Sequence, residues 1–363
     1  MQKVVENTKK AFLTGNEAAA WAALAAGAEI MFGYPITPQN EIMHYWTRLA
    51  PKYGRNFLQT EDEISAGFTV CGAVQAGKKA FTATAGPGNT LMQEPFSMAE
   101  AMRLPLVAII QQRGGPSSGT VIYSQQEVTL TTFGGNGEGH RIVYSTSSHQ
   151  EIYDYIIKAF NTAWKYRFPT FVLGDGYQAK MREPLEMYDP EERGIELVKT
   201  FPLVGLEGKI GEEREPQHLC NIYSMEEELY EVVMKFAAEY EAISPEVVEY
   251  EEKECEDAEI LILAHGVVSR AADDAVKALR AQGIKAGYFR PITLRPFPGK
   301  QLREAIAKSG AKKMLIAESA YGQFDRLVKQ EIYGETIQIN NLFMPGVGII
   351  DTDIISKVKS IID

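Results

Sequence analysis

Three short stretches hold the residues best suited to chemistry. Arg113 is the second residue of Gln112-Arg-Gly-Gly-Pro-Ser-Ser-Gly119, which directly follows the apolar run LVAIIQ at 106–111. A guanidinium there, among glycines that let a ligand approach the backbone, suits a carboxylate or a developing oxyanion. The other reading of Arg113 is a surface arginine paired with Glu127 or Glu138. Glu61, Asp62 and Glu63 open a helical pattern whose Ala66, Gly67, Gly72, Ala73, Ala76 and Gly77 leave it small-sided. Acidic residues suit a first helical turn, yet three exceed what a cap needs. A carboxylate shielded there by a close partner would have its pKa raised and could hydrogen-bond a heterocycle. Tyr34-Pro-Ile-Thr-Pro38 and Thr84-Ala-Gly-Pro-Gly-Asn89 end two further apolar runs. Each is either a tight strand-to-helix turn or a ligand loop. All of them fall where parallel sheets bind ligands, at the carboxyl ends of strands.

The elements around these loops alternate. Strands are expected at 29–34, 57–60, 80–85, 106–111 and 170–173. Helices are expected at 16–26, 39–49, 62–76, 89–103 with a kink at Pro95, and 152–166. Strands alternating with helices imply a parallel sheet with right-handed crossovers. A second α/β unit begins at Ala258, with strands at 259–264, 287–289 and 313–318 and helices between them. The expected division is a first domain over 1–190, an acidic connecting arm over 191–257 and a smaller α/β domain over 258–363. Gly134-Gly-Asn-Gly-Glu-Gly139 fits neither common phosphate-loop pattern and is expected to be mobile.

Charge and composition exclude several classes. The net charge is -11, and residues 206–257 alone carry 17 acidic and 4 basic residues. The remainder is close to neutral, so neither a nucleic-acid footprint nor docking on anionic lipid is expected. There is no apolar run of about 18 residues for a membrane span, and Met1 to Lys10 lacks the apolar core of a signal peptide. Cys71, Cys220 and Cys255 are far apart, which argues against a disulfide framework or an iron–sulfur cluster held by this chain alone. A reducing cytoplasm fits this usage. The five histidines are dispersed, without metal-ligand spacing.

The combination GYPITPQNEI (33–42), EDEISAGFTVCGAVQAG (61–77), TATAGPG (82–88), QRGGPSSG (112–119) and FRPITLRPFP (289–298) resembles the α subunit of the 2-oxoacid:ferredoxin oxidoreductases, of the 2-oxoglutarate or branched-chain type. The resemblance runs through nearly the whole chain. It implies an α/β fold: a thiamine-diphosphate pyrimidine-binding parallel-sheet domain, then a transketolase C-terminal-like domain. It implies that Glu63 faces the aminopyrimidine N1′, where a protonated carboxyl favours the imino tautomer. Thr37 and Arg113 match substrate-contacting residues, and Pro35, Ile36, Gly86 and Pro87 line the cofactor. Gln39 and Asn40 stand where many relatives carry small residues, which leaves substrate size open.

The same resemblance implies a division of labour. A β subunit would carry the diphosphate and Mg²⁺ site and a [4Fe-4S] cluster, with γ and δ subunits as further partners and ferredoxin and coenzyme A as reactants. Gly174-Asp-Gly176 agrees with this: thiamine enzymes follow such a GDG with an asparagine, and here none occurs between Asp175 and Asn221. The implied reaction is oxidative decarboxylation of a 2-oxoacid to acyl-CoA and CO₂ with reduction of ferredoxin, or its reverse. Two other classes stay open. One is a ferredoxin-independent thiamine transferase or decarboxylase, the other a non-catalytic α/β scaffold.

Overall fold

The structure, a computed structural model, describes residues 8–204 and 218–362. The start of the Met1–Lys10 stretch, and Pro216 with the middle of the expected acidic arm, lie outside them. The strands are β1 (Lys9–Thr14), β2 (Ile30–Gly33), β3 (Asn56–Gln59), β4 (Ala80–Thr84), β5 (Val107–Gln112), β6 (Ile142–Ser145) and β7 (Thr170–Asp175). They continue with β8 (Arg182–Met187), β9 (Tyr250–Lys253), β10 (Ile260–Leu263), β11 (Ala286–Pro291), β12 (Thr293–Arg295), β13 (Lys313–Glu318) and β14 (Gln338–Phe343).

Two sheets carry the fold. The larger has the order β12-β6-β7-β5-β4-β2-β3, parallel throughout except for β12. Strands β4, β5, β6 and β7 are buried along their whole length, as expected where helices cover both faces. The alanine-rich helix Gly15–Ala25 starts at a capping box between Thr14 and Glu17 and packs flush against its neighbours. Trp46 anchors the helix Asn40–Leu49: its ring meets Phe81 edge to face at 4.9 Å, and its indole N–H donates to the Asn56 carbonyl at 2.8 Å. The smaller sheet has the order β14-β13-β10-β11-β9, with only β9 antiparallel. A two-stranded ladder pairs β1 with β8.

Several expectations shift by a few residues or change meaning. The helix expected at 89–103 is two helices, Pro87–Leu91 and Gln93–Ala101, and the break falls at Met92 rather than at Pro95. Pro95 instead packs on Gly67, where an added Cβ would lie 2.4 Å from the proline ring. The end of the expected arm, 250–253, is the edge strand β9 of the smaller sheet. The 134–139 loop, expected to be mobile, is held: the Gly134 carbonyl accepts from Arg141 at 2.6 Å, and a Cβ at Gly134 would strike Gln93.

The motif FRPITLRPFP links the sheets. Its first half is the end of β11 in the smaller sheet, and its second half is β12, on the edge of the larger sheet beside β6. Arg290 in the same motif grips both carboxylate oxygens of Glu151, at 2.8 and 2.6 Å, across the junction.

Candidate active site

The site forms at the carboxyl edge of the larger sheet, where the loops after β2, β3, β4 and β5 meet. Asp62 caps the helix Glu63–Gln75 by accepting from the Ser65 N–H at 2.7 Å, which fixes the turn that aims Glu63 inward. Glu63 is only 5% exposed. Burial pushes its carboxyl above the ordinary range; nearby Asp62 pushes the same way, and Arg113 opposes it. Among the described residues its only hydrogen-bond partner is its own backbone amide. Glu61 lies on the exposed side of the same turn.

Gly88 stands directly over Glu63. A Cβ there would lie 2.6 Å from Glu63 Oε1 and 2.3 Å from Thr84 Oγ1, so only glycine fits. Gly86 has φ +52°, and a Cβ on it would lie 2.6 Å from Arg113 Nε. Gly86 and Pro87 are half-buried at the mouth of this cradle.

Arg113 is buried, which decides between its two sequence readings against a surface ion pair. Its guanidinium donates from Nη1 to the Thr37 carbonyl at 2.8 Å, so the loop after β2 orients it. That loop is itself pinned by Gln39, which donates to the Tyr34 carbonyl at 2.9 Å, and by Asn16, which donates to the Pro38 carbonyl at 2.7 Å. Thr37 and Ile36 are half-buried, and Pro35 is exposed at the loop tip. Glu63, Gly86, Arg113 and Thr37 thus form one connected cluster.

Glu127 holds the cluster together; the sequence offers it only as an ion-pair partner of Arg113. Its Oε1 accepts from the backbone N–H groups of both Gly86 (2.8 Å) and Arg113 (2.9 Å), and its Oε2 accepts from Asn89 Nδ2 (2.9 Å). Full burial raises its pKa despite these donors. One carboxylate thereby fixes the distance between the glycine loop and the arginine loop. Nothing in the spacing of Gln125-Gln-Glu127 marks this role, because both partners are distant in sequence.

The polar atoms left over fit a heterocyclic cofactor. Thr84 Oγ1 and Arg113 Nε are buried without a partner among the described residues, and the Glu63 carboxyl is unspent. A ring with a polar edge, seated against the glycine cradle, would satisfy them. Asp175 of the GDG stretch is occupied as a helix cap, accepting from the Gln178 N–H at 2.8 Å. Among the described residues, no three His, Cys, Asp or Glu side chains assemble as a metal-ligand set. No helix among them is long and apolar enough to cross a membrane.

This fold and edge are those of a thiamine-binding α/β enzyme class, and the comparisons agree. Residues 21–252 match the family "Pyruvate flavodoxin/ferredoxin oxidoreductase, thiamine diP-bdg". Residues 258–350 match "Pyruvate:ferredoxin oxidoreductase core domain II". The chain belongs to this oxidoreductase family, and within it to the α-subunit type of the 2-oxoacid:ferredoxin oxidoreductases. It is 36% identical over 350 residues to the ketoisovalerate oxidoreductase subunit VorB of Methanothermobacter marburgensis, covering 96% of each chain. It is also 36% identical over 333 residues to the 2-oxoglutarate synthase subunit KorA of Methanocaldococcus jannaschii, covering 87% of this chain and 90% of that one. A solved 2-oxoglutarate:ferredoxin oxidoreductase from Magnetococcus marinus, with 2-oxoglutarate, coenzyme A and succinyl-CoA bound, superposes with a TM-score of 0.86 at 25% identity. That match covers 98% of this chain and spans 65% of the solved one. A split-gene transketolase shares the fold alone, at a TM-score of 0.60 and 15% identity.

Proposed function

We propose that this chain binds the pyrimidine end of thiamine diphosphate and the carboxylate of a 2-oxoacid inside a heteromeric, cytoplasmic oxidoreductase. The complex would convert a 2-oxoacid and coenzyme A to acyl-CoA and CO₂ while reducing ferredoxin, or run the reverse. The observation that carries this reading is the pairing of an unspent buried carboxyl, Glu63, with a buried guanidinium, Arg113, across one glycine cradle. Names borne by similar proteins, ketoisovalerate oxidoreductase and 2-oxoglutarate synthase, support a branched-chain 2-oxoacid or 2-oxoglutarate as substrate. Free thiols at Cys71, Cys220 and Cys255 support a reducing compartment.

When bound, thiamine diphosphate supplies the carbon nucleophile that adds to the keto carbon. Glu63 would hold a proton and donate it in a hydrogen bond to the pyrimidine nitrogen; burial raises its pKa, the direction that favours the protonated form. Gly86, Pro87, Pro35 and Ile36 would shape the wall against the ring. Arg113 would take the 2-oxoacid carboxylate with the donors that Thr37 leaves free, and burial strengthens that grip. The diphosphate with its Mg²⁺, and a [4Fe-4S] cluster, would come from a β subunit, with γ and δ subunits completing some assemblies.

The test is an activity panel on the complex co-purified with its partner subunits. Pyruvate, 2-oxoglutarate and 2-oxoisovalerate are supplied with coenzyme A and a viologen acceptor. CoA-dependent viologen reduction with one of the latter two is expected. Turnover by the isolated chain, or none by the complex with any 2-oxoacid, would overturn the reading.

A further inference from the structure

The carboxyl ends of β10 and β13 in the smaller sheet meet Gln125, a residue of the larger sheet's own polypeptide stretch, twelve positions after Arg113 and wholly buried. Its side chain donates from Nε2 to the His265 carbonyl at 2.7 Å and accepts at Oε1 from the Ser319 N–H at 2.9 Å. Its backbone N–H donates to the Ser319 carbonyl, also at 2.9 Å. His265 follows β10 and Ser319 follows β13, so one glutamine ties both strand ends. His265 is fixed in turn by Ser145 Oγ, 2.9 Å from its Nδ1.

The next two residues pass this attachment to the site. Gln126 accepts at Oε1 from the Gly115 N–H at 3.2 Å, two residues beyond Arg113, and its carbonyl accepts from Gln323 Nε2 of the smaller unit at 2.7 Å. Glu127 accepts from the Arg113 N–H itself. Three consecutive side chains therefore reach three walls: the smaller sheet, the arginine loop and the glycine loop. Gly346 packs against Thr120, and a Cβ at Gly348 would strike the Tyr123 ring, so the loop after β14 closes on the same segment.

From this arrangement we propose that Gln125 is a positioning residue, through which the smaller sheet fixes the Arg113 guanidinium for the 2-oxoacid carboxylate. The proposal rests on the substrate role given to Arg113. Without the Gln125 side chain, the segment 114–127 keeps Glu127, the Gln126–Gln323 bond and the Gln125 backbone bond to Ser319, but loses its ties to the His265 carbonyl and the Ser319 N–H and is held less firmly against the smaller sheet. The cost falls on substrate binding, because a guanidinium must be held within a fraction of an ångström to make paired hydrogen bonds.

The test uses the complex with its partner subunits and three variants. Gln125→Ala should raise the 2-oxoacid KM about tenfold, the scale of one or two net hydrogen bonds, with thiamine diphosphate affinity unchanged and kcat changed less than KM. Gln323→Ala, a half-buried position that loosens the same segment from the other side, should raise that KM about two- to threefold. Gln125→Ala combined with Arg113→Lys should cost less than the two separate effects multiplied, since both act through one guanidinium. A normal 2-oxoacid KM in Gln125→Ala, a parallel loss of substrate and thiamine affinity, or full multiplication of the two effects would overturn the proposal. If Gln125→Ala does not fold, Gln323→Ala decides: an unchanged 2-oxoacid KM there overturns the proposal. Normal 2-oxoacid kinetics in Arg113→Lys alone would instead overturn the substrate role of Arg113.

Discussion

Glu63 and Glu318 are both buried glutamates beside the carboxyl ends of parallel strands, one in each sheet, and burial raises the pKa of both. Their partners differ. Glu318 accepts from the backbone N–H groups of Phe324 (2.9 Å) and Asp325 (3.1 Å), and so closes the start of the helix Gln323–Glu331. Glu63 accepts from no other residue among those described. The same residue type in the same topological place is consumed by structure in one sheet and held in reserve in the other. A strand-end edge is a binding site only where its polar groups are left unspent, which topology alone does not reveal.

The largest effect expected from this contrast is at Glu63. Glu63→Gln should lower turnover of the complex by roughly two to four orders of magnitude, the scale of lost acid–base assistance, while the thermal midpoint holds. Glu61→Gln, on the exposed side of the turn, should change turnover far less. Steady-state kinetics beside thermal melts decide the matter; a reversed order would mean that Glu61 is the carboxyl that meets the cofactor.

Arg113→Lys comes next. A lysine keeps the charge but loses the planar fork. Losing one charge-assisted hydrogen bond costs about 1.5–3 kcal/mol, or roughly tenfold to a hundredfold in kcat/KM for the 2-oxoacid. Thiamine diphosphate titration should be nearly unaffected, and a collapse of cofactor binding with the fold intact would reassign Arg113 to the cofactor.

Glu318→Gln should show the opposite pattern. The amide leaves one N–H facing a backbone N–H, at a cost of about 1–3 kcal/mol in stability. Chemical denaturation reads this directly. If Glu318→Gln left stability untouched, the contrast between spent and unspent carboxyls would lose its basis.

The smallest effect is a change in pH dependence. Burial pushes Asp175 up to about 7, from an ordinary value of 3.8. Folded protein therefore binds its proton more tightly than unfolded protein does. The stability this confers is complete below the ordinary value and is lost as pH rises through about 7. Asp175→Asn keeps an oxygen to accept from the Gln178 N–H. The fall in thermal midpoint between mildly acidic and neutral pH should shrink in the variant, and an undiminished fall would remove Asp175 as its source.

The parts of this site that were legible in the sequence are those fixed locally. Proline and glycine after an apolar run mark a strand end, and the helix opening at Asp62 announces itself through its cap and small residues. The loops carrying Thr37, Gly86 and Arg113 could therefore be placed on one edge from residue types alone. What stayed hidden depends on pairing between distant residues. Glu127 reads as an ordinary acid before a short helix until its two backbone donors, 41 and 14 residues away, come into view. Strands β1 and β8 pair across most of the first unit, and neither stretch has the apolar alternation that would reveal it.

The FRPITLRPFP segment has a further consequence for how such a protein can change over time. A polypeptide that contributes one strand to each of two sheets in immediate succession is shared property. The smaller unit cannot be excised or exchanged for a cousin along with this segment without removing β12 and opening a bare edge at β6 of the larger sheet, and bare edges invite aggregation. The two units are thereby bound to a common inheritance, free to diverge at their loops but not to part company.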